Sequence, residues 1–117
     1  MRVTNVEPGV IMTNIFENSA ETTRFDKTSP YKQIMRRNGK MFSAGFRIAT
    51  QPEAVAATIL ESVTTDDYRL RWPVGPDAHG MIEGRARISD EDWVAMGAEL
   101  TDEEYNGRYK EWFGIDL

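Results

Sequence analysis

Asn5-Val6-Glu7-Pro8-Gly9-Val10-Ile11-Met12-Thr13 is the stretch on which the fold turns. From Arg2 to Val6, Val3 and Val6 stand among polar residues. The pattern stops at Pro8-Gly9, where proline removes a backbone donor and glycine accepts positive φ. This predicts a short strand running into a tight loop. A parallel strand covered on both faces is usually a longer apolar run. The strand therefore reads as cut at its beginning, with Met1 where it should already be under way.

The clearest helix signal lies downstream, from Pro52 to about Val63. Thr50 is placed to cap it, Pro52 sits where a missing N–H costs nothing, and Glu53 stands at the capping-box distance from Thr50. Val55, Ile59, Leu60 and Val63 form an apolar stripe expected to pack on a sheet or another helix. After Thr64-Thr65-Asp66-Asp67, bulky apolar side chains alternate with arginine over Tyr68-Arg69-Leu70-Arg71-Trp72-Pro73-Val74. That is a half-buried strand whose proline marks its end or an edge. Strand, helix, strand in this order fits a parallel right-handed crossover.

Between these landmarks, an apolar run from Val10 to Phe16 gives way to a polar stretch from Glu17 to Ser29. A helix is expected from Pro30 through Arg37, ending before Asn38-Gly39. Gly75-Pro76-Asp77-Ala78-His79-Gly80 reads as a turn cluster. Ser89 opens a helix with Asp90, Glu91 and Asp92 in its first turn. Thr101, with Glu104 at box spacing, caps the last helix, whose stripe is Tyr105, Tyr109, Trp112 and Phe113 before a stop at Gly114.

Composition narrows the function classes. The chain has 117 residues, no cysteine, and 14 Lys+Arg against 19 Asp+Glu. Disulfides and thiolate metal sites are excluded, and no apolar run approaches the roughly 20 residues of a membrane span. The N-terminus lacks a secretory apolar core, so a cytoplasmic location without membrane association is expected. Residues 89–117 carry a balance of -7 and the rest +2. With no clustered Lys/Arg face, nucleic acid is not an expected partner.

Candidate chemistry is sparse. His79 is the single histidine, so no His-based metal cluster exists and no Ser-His-Asp relay could avoid it. The triplets Asp90-Glu91-Asp92 and Asp102-Glu103-Glu104 are accounted for by the helix dipole. The terminal aromatic stripe reads as core or subunit interface. Arg69, Arg71, Arg85 and Arg87 read as a salt-bridged surface.

The strand ending in Pro8-Gly9, with Ile11 and Thr13 following, resembles the segment after the sixth strand of short-chain dehydrogenases/reductases. The resemblance extends over most of Arg2 to Gly75: a polar stretch in the place of the substrate lid, the Thr50-Gln51-Pro52-Glu53 helix after it, and a last strand at Tyr68–Val74. It implies the C-terminal part of a doubly wound Rossmann-type α/β fold. Residues 1–13 would be the strand and nicotinamide loop, 14–49 the lid region, 50–75 the helix and last strand, and 76–117 a helical acidic tail, all in one partial domain.

By the same resemblance the cofactor of the complete enzyme is NAD or NADP, the substrate an alcohol or carbonyl compound, and the reaction hydride transfer. Pro8, Gly9, Ile11 and Thr13 would line the nicotinamide pocket. The family's glycine-rich phosphate loop has no counterpart here, nor does its Tyr-x-x-x-Lys: Tyr31, Tyr68, Tyr105 and Tyr109 are followed four residues later by Met35, Trp72, Tyr109 and Phe113. No catalytic residue is therefore assigned, and the chain alone is expected to be inactive without a tightly bound cofactor. Two strands leave an unpaired sheet edge, so a homo-oligomer or a complex with the missing half is expected. Two other classes remain open: a non-catalytic scaffold of the same descent, and a small-ligand-binding protein.

Overall fold

Two four-residue strands, β1 (Asn5–Pro8) and β2 (Arg71–Val74), pair in parallel with Val6 opposite Trp72 and Pro8 opposite Val74. The ladder is extended at both ends, by Asn5 N donating to Leu70 O at 2.7 Å and Gly9 N to Val74 O at 2.9 Å. The computed structural model describes residues 1–19 and 26–117. Residues 20–25, within the expected lid, lie outside the described residues. Among those described, six helices accompany the strands: α1 (Ile15–Ser19), α2 (Lys32–Arg47), α3 (Pro52–Thr64), α4 (Pro76–Arg87), α5 (Asp90–Ala95) and α6 (Asp102–Phe113). The chain is thus a mixed α/β structure in which α1, α2 and α3 lie between two parallel strands. Among the described residues no helix is long and apolar enough to cross a membrane.

Four local expectations are corrected. The helix expected to stop before Asn38-Gly39 continues through both to Arg47. A glycine inside a helix costs about 1 kcal/mol, and tertiary contacts outweigh it. Arg37 is buried, donates to Leu100 O at 2.7 Å and lies over the Tyr105 ring at 4.3 Å, while Ala44 and Gly45 are buried two turns later. The Thr50 cap does not form. Gln51 is the N-cap of α3, without a side-chain bond, because the Thr50 backbone is committed to a bridge with Ile11.

The turn cluster at Gly75–Gly80 is instead the opening of the twelve-residue α4. Gly75 adopts φ 98°, open to glycine at little cost, and Pro76 starts the helix where its missing N–H is harmless. Finally, the apolar stripe of α3 does not pack inward. Ser62 is the buried residue of that helix, whereas Ile59, Leu60 and Val63 are exposed.

The C-terminal helices follow their sequence signals. Ser89 with Asp92 and Thr101 with Glu104 both form complete capping boxes, and Gly114 ends α6 in the left-handed region. The aromatic stripe is core: Tyr109 and Phe113 are buried with ring centroids 4.8 Å apart, joined by Ala44, Met96 and Ile115. This cluster draws on α2, the end of α5, α6 and the C-terminal residues, with Met81 of α4 packed against it. Trp72 is buried on β2, with Arg69 stacked on its ring at 3.6 Å.

Candidate functional site

The loop leaving β1 is held at successive residues. Gly9 is tied to β2, the Val10 amide donates to the Asp77 carboxylate at 2.6 Å, and Val10 O accepts from Thr50 N at 3.0 Å. Met12 N then donates to Thr50 O, also at 3.0 Å. The C-terminal end of β1 is thereby fixed to the start of α4 and to the entry of α3.

Asp77 is the centre of this arrangement. It lies in the first turn of α4, where the helix dipole favours a negative charge, and is 6% exposed. Three glycines surround its carboxylate. A Cβ on Gly75 would sit 3.0 Å from Oδ1 and one on Gly45 3.5 Å from Oδ2, while a Cβ on Gly9 would overlap the carboxylate itself. Gly9 is therefore required by the approach of Asp77. Oδ1 is buried without a hydrogen-bond partner among the described residues.

Against this turn lies a cavity of about 340 Å³. Pro8, Gly9 and Val10 form one wall, Met41 and Phe42 of α2 face them, and Met81, Ile82 and Tyr109 complete it. The Tyr109 hydroxyl donates to Met81 Sδ at 2.9 Å. Burial pushes the Tyr109 phenol well up, with the charges of Tyr105 and Asp77 adding to the effect, so it remains a neutral donor. At the rim, Arg71 donates to both oxygens of Glu7, at distances down to 2.6 Å, and those bonds hold the Glu7 carboxyl below its usual range.

Of the four residues the family resemblance assigned, Pro8 and Gly9 line the cavity. Ile11 is half-buried in the bridge to Thr50, and Thr13 is exposed, at the entry to α1. The loop connects all four, yet the cavity takes only two of them. Asp77 and Tyr109 are among the cavity residues to which the family resemblance assigns no role. The available signal for Asp77 was Gly75-Pro76-Asp77, a proline and an acid placed as in a helix first turn. Tyr109 belongs to the aromatic stripe of the last helix, a signal for burial but not for a cavity.

The other titratable clusters have structural occupations. His79 is on the solvent side of α4, 4.0 Å from Glu83 one turn on. Asp102 binds Arg36 at 2.6 Å and Lys40 at 3.0 Å, and its carboxyl is lowered chiefly by the Lys40 hydrogen bond. Asp90 pairs with Arg85. Among the described residues, no three His, Asp or Glu side chains gather where they would hold a metal ion. Comparison with protein-family models, with curated proteins and with solved structures found no match to this chain.

Proposed function

We propose that this chain forms the nicotinamide-facing pocket and substrate lid of an NAD(P)-dependent oxidoreductase of the short-chain dehydrogenase/reductase type, as the C-terminal part of its doubly wound sheet. The observation that carries this is the Pro8-Gly9 turn, which closes a parallel strand and lines a cavity opposite Met41 and Phe42 of the expected lid. Ligands of open parallel sheets lie beyond the carboxyl ends of the strands, where this cavity is found. Its apolar walls suit the face of a nicotinamide ring. No Lys or Arg lines it, so a dinucleotide's phosphates would be held by other residues.

A bound nicotinamide supplies the hydride chemistry. The chain's own part is positional: Pro8 and Gly9 present bare backbone to the ring, Asp77 holds the turn in place, and α2 keeps water from that face. Ile11 and Thr13, from the same loop, are the groups proposed for the carboxamide. Residues 1–117 contain neither the glycine-rich loop nor the Tyr-x-x-x-Lys, so phosphate binding and proton transfer to an alcohol or carbonyl substrate fall to another polypeptide segment. The pure chain is expected to consume no NAD(P)H.

Titration of the ¹⁵N-labelled chain with nicotinamide mononucleotide tests the pocket. Saturable shifts of the Gly9, Val10, Ile11 and Thr13 amides are expected, and amides unmoved at millimolar ligand would refute the assignment. The second reading, a binder of small apolar carbonyl compounds without redox chemistry, is favoured by the apolar walls alone. It takes precedence if a ketone saturates the same amides and nicotinamide does not compete.

A further inference from the structure

One face of α4 runs past the cavity at Pro8-Gly9 and changes character as it goes. Ala78, Met81, Ile82, Arg85 and Ala86 stand at i, i+3, i+4, i+7 and i+8, the spacing of a single helix face. The first three line the cavity at the turn. Met81 and Ile82 also line a second cavity, of about 320 Å³, whose other walls are Arg85 and Ala86 of the same helix and Arg71 of β2. The two hollows therefore adjoin along α4, and both charged residues of the second are cations.

Each arginine keeps unused donors. Arg71 binds Glu7 through Nε and Nη2, so its Nη1 has no hydrogen-bond partner among the described residues. Arg85 donates from Nη1 to Ile88 O and from Nη2 to Asp90, which leaves its Nε without a partner among the described residues. The acidic partners Glu7 and Asp90 stand outside the lining of the second cavity. The Asp90 side chain is 84% exposed, and a pair of that kind holds its arginine only weakly. A guanidinium offers five N–H donors in a fork that matches a carboxylate. Beside these two forks, Met81 is unbranched and adaptable, a side chain suited to lie against hydrocarbon.

We propose that this face of α4 binds an unbranched aliphatic carboxylate, its chain lying on Met81 and Ile82 and its carboxylate held by Arg71 and Arg85. The helix sets the length of the ligand. Ala78 and Arg85 are seven residues apart, which is about 10 Å along the axis. An extended chain advances about 1.2 Å per bond, so about eight or nine bonds cover that distance. The inference stands on α4 and its two arginines, independently of what Pro8 and Gly9 receive.

Sodium decanoate has a chain of this length, and titrating it into the ¹⁵N-labelled chain tests the site, with 1-decanol, sodium hexanoate and sodium acetate in parallel. Decanoate is expected to give saturable shifts of the Met81, Ile82, Arg85 and Ala86 amides and to bind at least tenfold more tightly than 1-decanol or hexanoate. Arg71→Gln and Arg85→Gln should each weaken decanoate at least fivefold and leave 1-decanol unchanged, with circular dichroism melts showing that the variants fold. The comparison of decanoate with 1-decanol on the wild-type chain tests the role of charge without any variant. Decanoate no tighter than 1-decanol, acetate as tight as decanoate, or shifts that spare α4 would each overturn the proposal. Nicotinamide mononucleotide is read at the amides of residues 9–13, so its failure refutes the nicotinamide pocket alone, and a failure of decanoate refutes this inference alone.

Discussion

The Asp77 carboxylate accepts the Val10 amide at 2.6 Å, tying the turn after β1 to a helix start 67 residues further along the chain. Because Gly9, Gly45 and Gly75 all border that carboxylate, one side chain sets the relative positions of β1, α2 and the β2–α4 junction. The wall of the cavity is therefore positioned by a residue that the strand motif does not include.

Replacing Asp77 by Ala should cost about 1–3 kcal/mol, the penalty for leaving a buried amide without its acceptor. Asp77→Asn keeps an acceptor and should lose less. Urea denaturation of the three proteins measures both, and an Ala variant as stable as wild type would show that the pin contributes nothing.

Gly9→Ala places a methyl group on the Asp77 carboxylate and should destabilise the chain by about 1–3 kcal/mol, as overpacking does. In Gly9→Ala/Asp77→Gly the clash is absent, so the two changes should not add. A double-mutant cycle with zero coupling energy would contradict the contact.

Tyr109 predicts an alkaline limit to stability. Its phenol is raised by burial in the folded chain, so the folded state holds this proton more tightly than the unfolded state does. The contribution is complete below the unfolded value of about 10 and declines as pH rises from there towards the folded value. In Tyr109→Phe, denaturation midpoints above pH 10 should fall less steeply; an unchanged slope would count against this origin.

Thr101→Ala removes the oxygen that accepts from Glu104 N at 3.2 Å and leaves the first turn of α6 open. A loss of about 1 kcal/mol is expected. Hydrogen exchange should quicken first at the amides of Glu103 and Glu104; uniform exchange along α6 would argue against a local cap.

Local signals were readable where the answer lies within a few residues. Thr101 with Glu104 forms the capping box its spacing announces because the box is closed by side chains three positions apart, and Ser89 starts its helix as its first-turn acids suggest, there also closing a box with Asp92. The parallel pairing was legible from two short strands bounded by Pro8-Gly9 and by Pro73 with the Pro52 helix before the second, although α1 and α2 also lie between them. Signals failed where a distant partner competed. Thr50 has the form of a cap, but Val10 and Met12 claim its backbone. Asn38-Gly39 has the form of a stop, but Arg37 and Ala44 are anchored on either side of it.

By itself, then, the sequence determined the α/β character, the two strand ends and the capped C-terminal helices, because hydrophobic period, proline, glycine and cap oxygens act over one or two turns. Only the tertiary structure decided that Asp77 and Tyr109 meet at the cavity, that Ile11 and Thr13 stand outside it, and that the α3 stripe faces outward. Those outcomes depend on which element packs against which surface. Burial of Asp77 among three glycines and of Ser62 beneath α3 is settled by packing between residues far apart in the chain, to which no local pattern is sensitive.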